Sequence, residues 1–91
     1  QKKRISSDYI ETPVNSAISM TAGTGYLYSL YLYKDKKLVK EPTTWINCVG
    51  VIEINSEEYS GFALKVRQKN YEEWTEEKIE AFTKTVTIES A

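Results

Sequence analysis

The sequence lacks the residue types on which most catalytic and metal sites depend. Its 91 residues include no histidine, the commonest general base and metal ligand, and a single cysteine, Cys48. One cysteine cannot form an internal disulfide, and a zinc site needs more cysteine and histidine ligands than this chain contains. We therefore expect no metal, no cofactor, and a buried, unreactive thiol at Cys48.

Catalytic carboxylate sites and phosphate loops are missing as well. Adjacent pairs of glutamates stand at 57/58, 72/73 and 76/77. Neighbours in a strand point to opposite faces, and in a loop such side chains are solvated, so these pairs do not form an acid–base site. The glycines at 23 and 25 lack the spacing of a phosphate-binding loop. We predict that the protein is not an enzyme and has no small-molecule substrate.

No apolar run approaches the roughly 18 residues that a membrane-spanning helix needs, so we expect no membrane partner. The basic start, residues 1–4, precedes polar residues rather than an apolar stretch, and no secretory signal is visible. A hydrophobic content of 41% and a charged content of 27% predict one small globular domain. We place an N-terminal arm at 1–11, ragged or extended, and the domain at 12–91.

Aromatic residues are abundant, at 12% of the chain, and seven of the eleven are tyrosines. A core of this size has room for only a few large rings, so we expect several to face outward. The net charge of −1 hides an asymmetry: residues 1–40 carry seven basic and three acidic side chains, whereas residues 70–91 carry two and six. We expect one basic face and one acidic face.

Alternating apolar and polar residues indicate strands, and Gly23 and Gly25 are expected to bend the chain between the first two. In the second strand a bulge at Ser29 would place the leucines in the core and turn Tyr31 and Tyr33 outward. The predicted strands are 16–21, 26–33, 45–54, 62–67 and 82–88.

Residues 72–81 fit two structures equally well, a short helix capped at Thr75 or the tip of a long hairpin. Five short strands with at most one short helix predict a mainly all-β fold. The architectures that fit are a small barrel of the OB or SH3-like kind and a short sandwich.

Recognition by stacking and charge fits this composition better than catalysis does. Proteins bind single strands with a cationic groove for the phosphates and aromatic faces for the bases. Aromatic and basic side chains alternate on the predicted outward positions. The aromatic candidates on the strands are Tyr31, Tyr33 and Trp45.

Four segments resemble, in order and spacing, the single-stranded-DNA-binding (SSB) proteins of bacteria and phages. Thr43–Val49, read Thr-Thr-Trp-Ile-Asn-Cys-Val, is similar to a family strand in which an aromatic residue precedes an Ile-Asn-Cys-Val-like run. Ser29–Lys36 resembles the strand that ends in an aromatic residue followed by charged ones. Val66–Glu72 resembles the strand that opens the long hairpin, and Phe82–Ile88 its closing strand.

The resemblance covers roughly residues 12–89 and implies a five-stranded OB-type barrel that binds single-stranded DNA in replication or recombination, largely independent of sequence. It implies base stacking on Tyr33, Trp45 and Tyr71, to which we add Tyr31 and Trp74 as weaker candidates. It also implies a homo-oligomer in the cytoplasm, at the nucleoid or replication sites. The side chains expected to contact phosphates are Lys34, Lys36, Lys37, Lys65, Arg67 and Lys69.

The chain departs from the family in several places. Val51 falls where the family often has a fourth aromatic residue, and residues 55–61 replace a longer helix. The glycine-rich opening of the family is missing, and the resemblance covers the barrel without the acidic C-terminal tail. We expect the glutamate-rich segment 72–80 to keep the opposite side free of nucleic acid, and Val49, Val51 or that segment to serve oligomer contacts.

Two other interpretations remain open from the sequence. One is a secreted or surface β domain whose tyrosine-rich face binds a protein partner, because protein interfaces also favour tyrosine and tryptophan. The other is an OB or SH3-like domain of a larger assembly, in which the aromatic side chains fill the barrel.

Overall fold

The computed structural model describes residues 2–90 as seven β-strands and one short helix. All the strands belong to one antiparallel sheet, which curls into an open half-barrel. The elements are β1 (Arg4–Ser6), β2 (Ile10–Glu11), β3 (Ser16–Lys34), β4 (Lys37–Lys40), β5 (Ile46–Ile54), β6 (Gly61–Gln68), α1 (Glu76–Thr83) and β7 (Val86–Ser90).

The long strand β3 organises the sheet, because four other strands pair with it. Its first part, 16–20, lies between β5 and β7. Its second part, 26–33, pairs with β6 along its whole length and with β4 on the opposite edge. The short strands β1 and β2 follow each other along the far edge of β6.

The predicted bend at Gly23 lies within this long strand. The register between β3 and β5 shifts from Met20 opposite Gly50 to Gly23 opposite Cys48. Gly23 has a φ of 91°, which residues with a Cβ rarely adopt. The glycine therefore makes a bulge that bends β3, and the two strands predicted around it form one continuous element.

The bulge predicted at Ser29 is absent from the pairing of β3 with β6, and that prediction is wrong. The register runs without a shift from Tyr26 opposite Gln68 to Tyr33 opposite Gly61. Side chains therefore alternate strictly, so that Tyr28 joins the core. Burial is the main cause that raises the pKa of Tyr28, and the charge of Cys48 raises it further.

The core lies on the concave face of the sheet. The Cys48 side chain is fully buried, and its burial raises the pKa of the thiol from 9.0 to about 11. A thiol in this state is the unreactive form at neutral pH. The buried apolar side chains are Ile18, Met20, Tyr28, Leu32, Cys48, Ile54, Phe62, Leu64, Val66 and Phe82.

Residues 72–81, for which the sequence allowed a short helix or a hairpin tip, contain the start of a helix that extends from Glu76 to Thr83. The hydroxyl of Thr75 accepts a hydrogen bond from the backbone N–H of Lys78, with 3.2 Å between nitrogen and oxygen, and so caps the helix. Phe82 therefore reaches the core from a helix, and the last strand begins at Val86. The cap stabilises the first turn of the helix. The negative charges of the two glutamates in this turn, Glu76 and Glu77, interact favourably with the positive end of the helix dipole.

The prediction of a mainly β fold with one short helix is confirmed. The strand count is seven rather than five. Three strands were not predicted, since β1 and β2 form within the predicted arm and β4 forms after the turn at 35–36, and two predicted strands are joined in β3. Within residues 2–90, no helix has the length and apolar character needed to cross a membrane.

Candidate functional site

The convex face of the half-barrel carries a row of cations on two neighbouring strands. In β6, Lys65 and Arg67 point away from the core while Phe62, Leu64 and Val66 are buried, as the alternation predicts. The cations are brought together by the pairing of β6 with β1, in which Arg4 lies opposite Arg67 and Ser6 opposite Lys65.

Arg67 makes cation–π contacts with two aromatic rings. Its guanidinium carbon lies 5.2 Å from the ring centroid of Trp45 and 4.1 Å from that of Tyr71. The guanidinium carbon of Arg4 lies 5.4 Å from the Trp45 centroid. We call these four residues the Trp45 platform, because cation–π contacts join all of them.

The backbone positions both rings. The segment that leads into Trp45 crosses the convex face of β3, where the Ser29 hydroxyl donates a hydrogen bond to the carbonyl of Thr44 at 3.2 Å. Tyr71 ends the turn after β6 with a φ of 58°, and its N–H donates to the Gln68 carbonyl at 3.0 Å. The two rings therefore come from separate connections, and both contact Arg67 near the end of β6.

The Arg67 side chain is held in place from one side only. Its Nη1 donates to the carbonyl oxygens of Gln68 at 3.1 Å and Lys69 at 3.2 Å. Its Nε is buried and has no hydrogen-bond partner among residues 2–90. A buried donor without a partner costs about 1–3 kcal/mol, so an acceptor that reached this edge of the guanidinium would be bound favourably.

The ion pairs among residues 2–90 use other cations than those of β1 and β6. Those found among residues 2–90 include none of Arg4, Lys65, Arg67 and Lys69. The positive charge on the convex side of β1 and β6 is therefore not neutralised by any of these ion pairs. The ion pairs join Lys36 to Glu11 at 3.9 Å, Lys78 to Glu72 at 3.1 Å and Lys84 to Glu80 at 3.9 Å.

Tyr31 and Lys65 form a second cation–π contact on the same face. The Lys65 ammonium lies 4.9 Å from the Tyr31 ring centroid. Lys65 is opposite Ser29 on β3, and Tyr31 follows Ser29 by two positions. Lys65 and Tyr31 are therefore diagonal neighbours in the sheet. The contact thus extends the mixture of rings and cations from the Trp45 platform along β3.

Tyr33 lies farther along the strand. It lies six positions after Leu27, the residue opposite Arg67. At a rise of about 3.3 Å per residue, Tyr33 is therefore about 20 Å from Leu27 along β3. Its ring contacts the Tyr9 ring edge to face, with centroids 5.2 Å apart. The Tyr9 ring covers Gly61, where a Cβ would overlap it. The structure therefore does not bring Tyr33 to Trp45 and Tyr71.

Three of the predicted phosphate contacts lie at the turn between β3 and β4. Asp35 and Lys36 both have positive φ, as the two-residue turns of hairpins require. The Lys34 ammonium donates to the Glu57 carbonyl at 3.0 Å, and Lys36 pairs with Glu11. Lys37 is exposed in β4. These cations form a separate group at the far end of the face.

Trp74 is not part of the convex face. Its ring centroid lies 5.7 Å from that of Tyr26 and 5.6 Å from that of Phe82, and it packs against the core. Its indole N–H is buried without a hydrogen-bond partner among residues 2–90. These surroundings are those of a structural ring, whose faces are occupied by other rings.

Sequence reasoning missed Arg4 and Tyr9, because both fall in the segment interpreted as an arm. The available signal was the order Arg4-Ile5-Ser6, in which one apolar residue stands between two polar ones. Three residues are too few to establish a strand period, and the pairing with β6 supplies the missing information.

No family model, curated protein or solved structure matches the chain. Among residues 2–90, the cysteine and carboxylate side chains form no group of three or more that could hold a metal ion.

Proposed function

We propose that the protein binds single-stranded DNA through the Trp45 platform. The observation that carries the proposal is the position of Arg67, whose guanidinium lies within cation–π distance of both the Trp45 and the Tyr71 rings. Rings of this kind stack on bases, and each stacked base contributes about 1–3 kcal/mol. Such a site tolerates any sequence, because every base has a flat face.

The cations supply the second half of the proposed site. The buried Nε of Arg67 is a donor that now lacks a partner, and in the bound state a phosphate oxygen would accept from it once the side chains that cover it move aside. Nη1 is already occupied by two carbonyl oxygens, so the guanidinium is oriented before the ligand arrives. Lys65 and Arg4 stand beside it on neighbouring strands and add charge along the path of the backbone.

The contact of Lys65 with Tyr31 favours one path for the bound DNA strand. This path leads from the Trp45 platform toward Tyr33 along the convex side of β3. In this proposal the Trp45 platform binds first and most tightly. The lysines at the β3–β4 turn contact only longer oligonucleotides, because they lie at the other end of the face. A role in replication or recombination, in the cytoplasm, belongs to the same proposal.

The test is a titration of fluorescently labelled oligothymidylate with the protein, followed by anisotropy at two salt concentrations. If the four cations Arg4, Lys65, Arg67 and Lys69 each release counterions, affinity falls about 50-fold between about 50 and 200 mM salt. Arg67→Gln should weaken binding about tenfold or more, because it removes a charge-assisted hydrogen bond. It should also reduce the salt slope by about 0.7.

Lys84→Gln is the matched control, since it removes one exposed positive charge next to the helix rather than on the convex face. Its affinity should equal that of the wild type. Arg67→Lys keeps the charge but not the planar fork, so it should bind more weakly than the wild type. Equal losses in Arg67→Gln and Lys84→Gln would mean that net charge alone drives binding, and no binding at low salt would reject the proposal.

A further inference from the structure

The concave side of the half-barrel contains a cavity that the DNA-binding proposal does not use. It has a volume of about 530 Å³ and lies between the strands β1, β2 and β6 on one side and the helix α1 and the strand β7 on the other. This volume is within the range of about 300–1,000 Å³ that is typical of small-molecule sites. The cavity and the Trp45 platform lie on opposite faces of β6.

The alternation of side chains explains why this cavity is apolar. Leu64 and Val66 of β6 form part of its wall, whereas the cations of that strand point to the convex face. In α1, Ile79 and Phe82 are three positions apart and therefore lie on the same face of the helix. Within residues 2–90, no charged side chain lines the cavity. A charged ligand would lose its hydration there without gaining a counter-charge, so the cavity favours a neutral ligand.

The wall offers aliphatic contacts rather than a free aromatic face. Phe82 supplies the one ring that lines the cavity in the described part of the chain. That ring already contacts Tyr26 and Trp74, with centroids 5.4 Å and 5.6 Å apart. The other apolar side chains of the wall are isoleucines, valines and a leucine. A flexible alkyl chain gains dispersion contacts with such a wall and needs no ring on which to stack.

Two side-chain hydroxyls contribute the polar part of the wall. The Ser7 hydroxyl donates to the Asp8 carbonyl and accepts from a backbone N–H of β6, both at 2.9 Å. The Thr83 hydroxyl donates to the Glu80 carbonyl at 2.9 Å. Ser6 also borders the cavity, but it is paired opposite a lysine of the convex face, so its hydroxyl points to that face. Ser7 and Thr83 have both used their single proton, and a ligand that bonds to them must donate, as an alcohol does.

We propose that this cavity binds a single aliphatic chain that ends in a hydroxyl, such as a free fatty alcohol, as a ligand that does not react. The chain packs against the aliphatic wall, and its hydroxyl donates to Ser7 or Thr83. Thr83 and Ile88 are exposed, so the ligand can enter from the side of β7 without unfolding of the sheet. Binding can be measured without nucleic acid, so neither this proposal nor the DNA-binding proposal depends on the other.

The test is a titration with decanol followed by the fluorescence of Trp74, in a Trp45→Phe chain that has no other tryptophan. Trp74 contacts Phe82, which lines the cavity, so binding should change the emission of Trp74. From hexanol to decanol the affinity should rise about fourfold for each added methylene. Decanoate should bind about tenfold more weakly than decanol or worse, because its charge has no partner in the cavity. Equal affinities of decanol and decanoate would overturn the proposal.

Matched variants locate the ligand. Ile79→Phe fills part of the cavity and should weaken decanol binding about tenfold or more. Ile46→Phe is the matched control, since it makes the same change at an exposed residue of β5 outside the cavity, and its affinity should equal that of the parent chain. Denaturation midpoints without ligand would show that both variants are folded.

A charge at the opening tests the same site without filling it. Ile88→Lys places an ammonium group at the exposed side of the wall, so decanoate should gain affinity relative to decanol. This reversal does not depend on the folding of Ile79→Phe. An unchanged preference in Ile88→Lys, equal affinities of Ile79→Phe and Ile46→Phe, or an emission of Trp74 that does not respond to decanol would overturn the proposal.

Discussion

The two tryptophans lie in opposite environments. Trp74 is surrounded by the rings of Tyr26 and Phe82 on the inner side of the sheet. Trp45 is approached by the guanidinium groups of Arg4 and Arg67 on the outer side. The groups that a ring contacts, rather than the number of aromatic residues in the chain, therefore distinguish a structural aromatic residue from a candidate binding residue.

The largest expected effect is on the inner cluster. Phe82→Ala removes a buried ring that contacts both Tyr26 and Trp74, and should lower the free energy of unfolding by about 3–5 kcal/mol. Urea denaturation monitored by circular dichroism would measure the change. Trp45→Ala should cost much less stability, and equal losses in the two variants would remove the distinction between the clusters.

The interior can be examined further through the pH dependence of stability. The folded state raises the pKa of Cys48 from 9.0 to about 11, so it holds the thiol proton more tightly than the unfolded chain does. Stability that is complete below pH 9 is therefore lost as the pH rises toward 11, by about 2–3 kcal/mol. The wild type should lose more stability over this range than Cys48→Ala, and parallel curves would contradict the prediction.

The outer cluster should respond in affinity rather than in stability. Trp45→Ala is expected to weaken binding of single-stranded DNA by about 1–3 kcal/mol, because one stacking surface is removed. Fluorescence anisotropy would measure the effect. Trp74→Phe is the matched control, since it changes the inner tryptophan and keeps a ring, and its affinity should be unchanged; a loss there equal to that of Trp45→Ala would break the comparison.

The smallest expected effect concerns the helix that carries Phe82. Thr75→Ala removes the hydroxyl that accepts from the N–H of Lys78, and should lower the free energy of unfolding by about 1 kcal/mol. Thr75→Ser keeps a capping hydroxyl and should restore most of the loss. A change in DNA affinity in Thr75→Ala would show that the inner and outer regions are coupled.

Some of the site was accessible from the sequence because its local pattern allowed one interpretation. In residues 62–67 the apolar and polar positions alternate, so the outward directions of Lys65 and Arg67 were predicted correctly. Between Tyr26 and Tyr33 every residue is compatible with a strand interior. A bulge could therefore be placed at Ser29, although the register of β3 shifts on either side of Gly23 and again between Leu32 and Tyr33.

The grouping of the rings could not be predicted in the same way. Trp45 and Tyr71 are 26 positions apart, and their meeting depends on a segment that crosses β3 and on a turn with a positive φ. By its parity Tyr33 is equivalent to Trp45 and Tyr71, yet its place along β3 puts it beside Tyr9. Parity determines the face on which a side chain lies, but it does not determine the position along the sheet.

The mainly β character and the two faces of β6 follow from the amino-acid sequence, because period-two alternation and strand-forming residues act locally. Which rings contact cations and which contact other rings depends on the tertiary structure. It also decided that β5 is left with a free edge. These features arise from pairing between distant segments, where the bend at Gly23 sets the curvature of the sheet and so determines which side chains come together.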